Sequence, residues 1–193
     1  MTILLSLALA LITVKPENGR FTIYQDGKAI GVEQFSISTI PGGYRATGEM
    51  RLDGESAPMK SRMDLDQDLN PTSYEYEDSR GVVRVKIDSP LSDYEQVVNG
   101  QSSSETIEFP KGGFILENLF HHYLLLLYKV AAGPESLPIF TPQSLGVGLA
   151  TIQKTGKTTF SLDIKGAKME ATTDADGRMI RLAVPDAKLV VER

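Results

Sequence analysis

Beyond Arg20 the chain is cut into short segments by turn dipeptides, among them Asp26-Gly27, Asp53-Gly54, Asn99-Gly100 and Asp176-Gly177, and the residues between them alternate apolar with polar. Few folds accept that combination. A period of two sends every second side chain to one face, and Asp-Gly or Asn-Gly supplies the φ > 0 that a tight hairpin needs. The pattern therefore predicts antiparallel sheet over nearly the whole chain.

Individual segments carry the pattern to different degrees. Tyr44, Ala46, Met50 and Leu52 hold one parity, with Gly48 at a bend; Val83, Val85 and Ile87 alternate with Arg84 and Lys86; Phe160, Leu162 and Ile164 alternate with Ser161 and Asp163. In the segment after Asp26-Gly27, Ile30 and Val32 share one parity and Phe35 and Ile37 the other. A β-bulge near Glu33-Gln34 would switch the inward face. Tallied this way, the chain predicts about ten strands, too many for a flat open sheet, so the expected architecture is mainly β, an antiparallel curled sheet or flattened barrel.

One stretch breaks the rhythm. Gly113 to Val130 is written at helical period, which predicts one amphipathic helix over about 114–131, packed on or in the sheet. Nine apolar residues from Ile115 to Val130 fall on one half-circle, and Glu117, Asn118, His121, His122 and Lys129 on the other. Both histidines of the chain lie here. Glu117 and His121 stand at i, i+4, which predicts a helix ion pair on a solvated face and offers a carboxylate-imidazole couple for acid/base or metal chemistry. The adjacent histidines diverge by about 100°, and no HExxH or third imidazole exists, so no metal site is expected. Glu117, His121, His122, Tyr123 and Tyr128 are the expected contacts for a ligand or partner.

Other motifs fall away on geometry. Asp64 to Glu75 places carboxylates as an EF-hand loop does, but Leu69 stands where that loop needs glycine and Pro71 stiffens it. There is no GxSxG elbow, and Ser102 to Ser104 have no sign of activation. Gly146-Val147-Gly148 lacks the spacing of a dinucleotide site, and no phosphate-binding GxxxxGK[ST] occurs. No catalytic residue and no cofactor are expected. Net charge of −5 with Lys and Arg scattered excludes a nucleic-acid surface, and the absence of cysteine excludes disulfides and thiol chemistry. Ala131 to Ser144, with three prolines, reads as a long loop or flap.

Ile3 to Val14 is almost unbroken apolar and too short to span a bilayer, which predicts a signal peptide at 1–14, cleaved after Ala10 or Val14, and no stable transmembrane anchor. The expected location is periplasmic or secreted, with residues 15–193 as a single β-rich domain.

The order DGKAIGVEQFSI, DLNPTSYEYE, FILENLFHHYLLLLYKV, a TPQ loop and DGRMIRLAVPDAKLVVER resembles exported bacterial β-rich domains of unknown function. More distantly it is similar to the half-barrels of lipoprotein carriers, which hold acyl chains between sheet and helix. The resemblance implies a non-enzymatic binding or accessory domain of the cell envelope, for a hydrophobic small molecule or an envelope protein. Some similar domains precede hydrolase domains, whereas this chain ends with its last strand. The alternative is a hydrolase or metal-dependent enzyme using Glu117 and His121.

Overall fold

The structure is a computed structural model that describes residues 14–88, 90–131 and 135–193. The expected signal peptide lies outside those residues except for Val14, which is buried. Eight strands form an unbroken meander: β1 (Glu17–Gln25), β2 (Lys28–Ile40), β3 (Gly43–Leu52), β4 (Met59–Asp66), β5 (Pro71–Asp78), β6 (Gly81–Lys86), β7 (Leu91–Val98) and β8 (Gln101–Glu108). Two of the four dipeptides form tight hairpins, while Asp53-Gly54 and Asp176-Gly177 lie in longer connections with only the glycine at positive φ. Asp26 and Gly27 take φ of 50° and 79°, and Asn99 and Gly100 take 52° and 77°, the paired positive values of a tight turn whose twist matches its strands.

The chain then crosses to the far side of the sheet through β9 (Phe114–Ile115) and the helix α1 (His121–Val130). It returns as a second meander: β10 (Ser136–Thr141), β11 (Gly146–Lys154), β12 (Thr159–Ile164), β13 (Ala167–Thr173), β14 (Met179–Val184) and β15 (Leu189–Glu192). β15 pairs with β1, so both meanders join into one 15-stranded sheet with β8 and β9 at its edges. Every pairing is antiparallel except that of β9 with β10. The sheet is curled and open; it does not close as a barrel. Its fifteen strands exceed the expected ten partly because β9 lies in the segment read as helix, and β10 with the 3-10 turn Pro142–Ser144 occupies most of the segment read as a flap. β9 rests against β5, and the 3-10 turn rests against β6, so the far edge folds back over the first meander.

The helix lies within this curl. Leu124, Leu125, Leu126 and Leu127 are four consecutive helical residues and none is more than 2% exposed, so the middle of α1 is enclosed on all sides, while Tyr123, Tyr128 and Val130 are half-buried. An amphipathic helix with a solvated face was expected, and the correction follows from topology: a long sheet folding back supplies walls to both sides of one helix. Among the described residues no helix is long and apolar enough to cross a membrane.

α1 also begins seven residues later than its period suggests. Phe120 precedes its first turn and offers no side-chain cap. The cap comes from β2, where Glu33 Oε2 accepts the Phe120 N–H at 2.6 Å and Oε1 accepts the His121 N–H at 3.1 Å. A carboxylate there also complements the positive end of the helix dipole. The start of α1 is thus set by a residue 87 positions away.

Candidate functional site

Glu33 explains the broken parity of β2. Glu33, Phe35 and Ile37 all point inward and are buried, so the strand keeps one face through the region where a bulge was expected. The irregularity lies earlier, where the β1·β2 register slips past Ile30. A carboxylate on the inward row disguised the alternation.

One lateral row of the first meander builds the floor beneath the helix. Gly19, Phe35, Gly48 and Ser61 are successive cross-strand neighbours on β1 to β4. Phe35 lies flat because glycine flanks it on both sides: its ring covers Gly19, while the imidazole of His121 covers Gly48. Phe35 stacks on Phe21 at 4.9 Å and runs nearly parallel to His121 at 6.4 Å between ring centres. Tyr74 meets His122 edge-on at 5.6 Å.

The polar groups on this floor form a chain with one direction. The Glu117 backbone N–H, which can only donate, bonds to His122 Nδ1 at 3.2 Å. Burial holds the His122 imidazole well below its ordinary pKa, so its single proton sits on Nε2 and is donated to Ser61 Oγ at 3.2 Å. The Ser61 hydroxyl hydrogen is then free to point at His121 Nε2, 3.4 Å away. His121 Nδ1–H donates to Glu33 Oε1 at 2.5 Å. Serine, histidine and carboxylate therefore stand in the order of a nucleophilic triad.

The direction in which this array faces decides its role. Ser61 belongs to the inward row, and Glu33, Ser61, His121 and His122 are all buried. A groove of about 860 Å³ does cross β1–β5 with Phe35 and Ser61 among its lining residues, but most of the side chains around it, including Arg20, Gln34, Glu49, Lys60 and Glu77, are those of the solvent face. A substrate in the groove would lie across the sheet from Ser61 Oγ. With Ser61 only 6% exposed and both imidazoles fully buried on the core face, the array reads as a satisfied polar chain that clamps helix to sheet.

The expected contact residues separate. Glu117 and His121 form no pair: Glu117 precedes the helix, and its carboxylate accepts the Gln143 N–H at 2.8 Å. Glu117, His121 and His122 are interior groups where solvent contacts were expected. Tyr123 is half-buried, and Tyr128 donates to Glu17 Oε1 at 2.7 Å. Lys129, also assigned to the solvated face, is buried and donates to the carbonyls of Asp68 and Leu69 and to Asn70 Oδ1, the last at 2.7 Å. That is the loop resembling an EF-hand, and the cation it holds is this ammonium. Within it Asp66 accepts the N–H groups of Asp68 and Asn70 at 2.9 and 2.8 Å. Asp64 pairs with Arg45 at 2.7 Å. No group of three or more metal-ligating side chains occurs among the described residues.

Burial pushes the Glu117 carboxyl up to about 7, opposed by the Gln143 N–H and by Lys165 and Arg80. Between about pH 4.5 and 7 the folded chain keeps a proton that the unfolded chain has released, so Glu117 lowers stability as pH rises through that window and costs most above it. His122 acts in the opposite sense, since the unfolded chain takes up a proton below about pH 6.5 that the folded chain refuses. Glu117→Gln isolates the first effect. It is expected to raise the unfolding free energy by up to about 3 kcal/mol at pH 8 and to change little at pH 4, as read by urea denaturation at both pH values. Equal effects at the two pH values would show that Glu117 is not held protonated by burial.

Comparisons of the chain with protein-family models, with curated protein sequences and with solved structures give no match.

Proposed function

We propose that the protein is a non-enzymatic exported accessory domain of the cell envelope that acts on a protein partner, with no hydrophobic ligand held inside. The observation that carries this reading is the enclosure of α1. A carrier needs open apolar space between sheet and helix, and here Leu124 to Leu127 take up that space as core. The inward direction of Ser61, His121 and Glu33 argues against hydrolysis, since the imidazole and carboxylate are fully buried and the hydroxyl nearly so. The groove across β1–β5, rimmed by side chains of both charges, is the surface offered to a partner segment. Export rests on the apolar run Ile3 to Val14.

One measurement tests the ligand and the location together. Native mass spectrometry of the chain recovered from the envelope fraction of an expressing bacterium is expected to give a mass lacking residues 1–10 or 1–14, with no bound lipid. A lipid adduct that survives purification would restore the carrier reading. A chain that keeps its N-terminus and stays in the cytoplasm would remove the envelope role.

A further inference from the structure

The two edges of the sheet are treated differently. β9 is two residues long, both of them buried, and it rests against β5. β8 is eight residues long, pairs with β7 without a register shift, and carries no proline, lysine or arginine. Only Ile107 in it is even partly covered. Among the described residues no strand pairs with its outer side. Its charges are two glutamates, Glu105 and Glu108, and a long, regular edge without lysine, proline or a bulge lacks most of the devices that usually prevent strand addition.

The pairing with β7 shows which backbone groups are open. Phe109 N–H donates to Pro90 O at 2.9 Å, continuing the register in which Leu91 faces Glu108 and Val98 faces Gln101. In an antiparallel ladder such directly bonded pairs alternate with unbonded ones, so odd-numbered residues of β8 bond to β7. The N–H and C=O groups of Ser102, Ser104, Thr106 and Glu108 therefore face outward. An added antiparallel strand has to bond to these even positions with open positions of its own.

We infer that this edge of β8 pairs with the same edge of a second copy of the chain, antiparallel and about a two-fold axis at Ser104. In that register Ser104 faces Ser104 and Ser102 faces Thr106, which forms roughly six new backbone hydrogen bonds. Each Glu105 faces a Ser103 hydroxyl, and no two carboxylates oppose. Shifting the axis to Glu105 would set two carboxylates directly opposite, which is unfavourable. The serine run that shows no catalytic activation acquires a role as a compact, uncharged joint.

Sedimentation equilibrium of the full chain from about 1 µM to about 1 mM tests this, a range that suits a contact of this size. A reversible dimer is expected. Ser104→Lys, which sets two ammonium groups at the axis, should weaken it at least about tenfold at low salt. Ser104→Pro removes one open N–H without touching the bonds to β7 and should abolish it. Because the chain has no cysteine, Ser104→Cys carries one thiol and should cross-link to a dimer with a short bis-maleimide, whereas Ser38→Cys on β2 should not. A chain monomeric across the range, or a dimer that Ser104→Lys leaves unchanged, would overturn the pairing.

Discussion

Glu33→Ala is expected to lower the unfolding free energy by about 4 kcal/mol, the largest effect of any single change considered. The carboxylate is fully buried and receives three donors, the N–H groups of Phe120 and His121 and the Nδ1–H of His121. Alanine leaves all three without this acceptor, the two of His121 in the fully buried interior and that of Phe120 part-buried. A loss of this size is a large share of the stability of an ordinary domain, about 5–15 kcal/mol. Glu33→Gln should cost about half as much: its oxygen can serve His121, but its amide meets the Phe120 N–H donor to donor. Urea denaturation gives the free energies, and hydrogen exchange of 121–130 should show the first turn of α1 opening before the sheet. A cost below about 1 kcal/mol for Glu33→Ala would mean that β2 does not cap the helix.

The second large effect is expected at Gly48. A Cβ built there would lie 2.4 Å from His121 Cε1 and 2.5 Å from its Nδ1, with Glu33 Oε1 at 3.2 Å. The imidazole cannot withdraw without leaving Glu33 and Phe35. Gly48→Ala should therefore cost about 3 kcal/mol, part overpacking and part broken hydrogen bonds. If the ring is the obstacle, its removal has to relieve the strain. The double variant Gly48→Ala with His121→Ala is accordingly expected to be more stable than the sum of the two single effects by about 1–2 kcal/mol. Additive costs would place the strain elsewhere.

Both expectations concern residues that local pattern reading passes over or misplaces. Gly48 reads as a bend in a strand, although its strand runs on through it, and what it accommodates is a histidine 73 residues later. Glu33 reads as the point where a strand changes face. A signal was nevertheless present: Glu33 shares its parity with Phe35 and Ile37, so a carboxylate stood on an inward row, and a buried carboxylate needs donors. The helix misled for a related reason. Its period correctly marked a helix, but its polar residues looked solvated because their partners, Glu33, Ser61 and the 68–70 turn, lie on distant strands. Glu117 and His121 share a helical face only if the helix extends to Glu117, and the cap from Glu33 begins it later.

The alternation of side chains and the turn dipeptides determined by themselves that the chain is mostly antiparallel sheet with one helix, because hairpins and strand parity are local matters of φ and side-chain direction. The number of strands, the enclosure of α1, the start of that helix and the inward direction of Ser61, His121 and Glu33 were decided only by tertiary structure. Each depends on which distant segments come together. A buried polar residue is made tolerable by partners contributed from elsewhere in the fold, and a stretch of sequence does not carry that information.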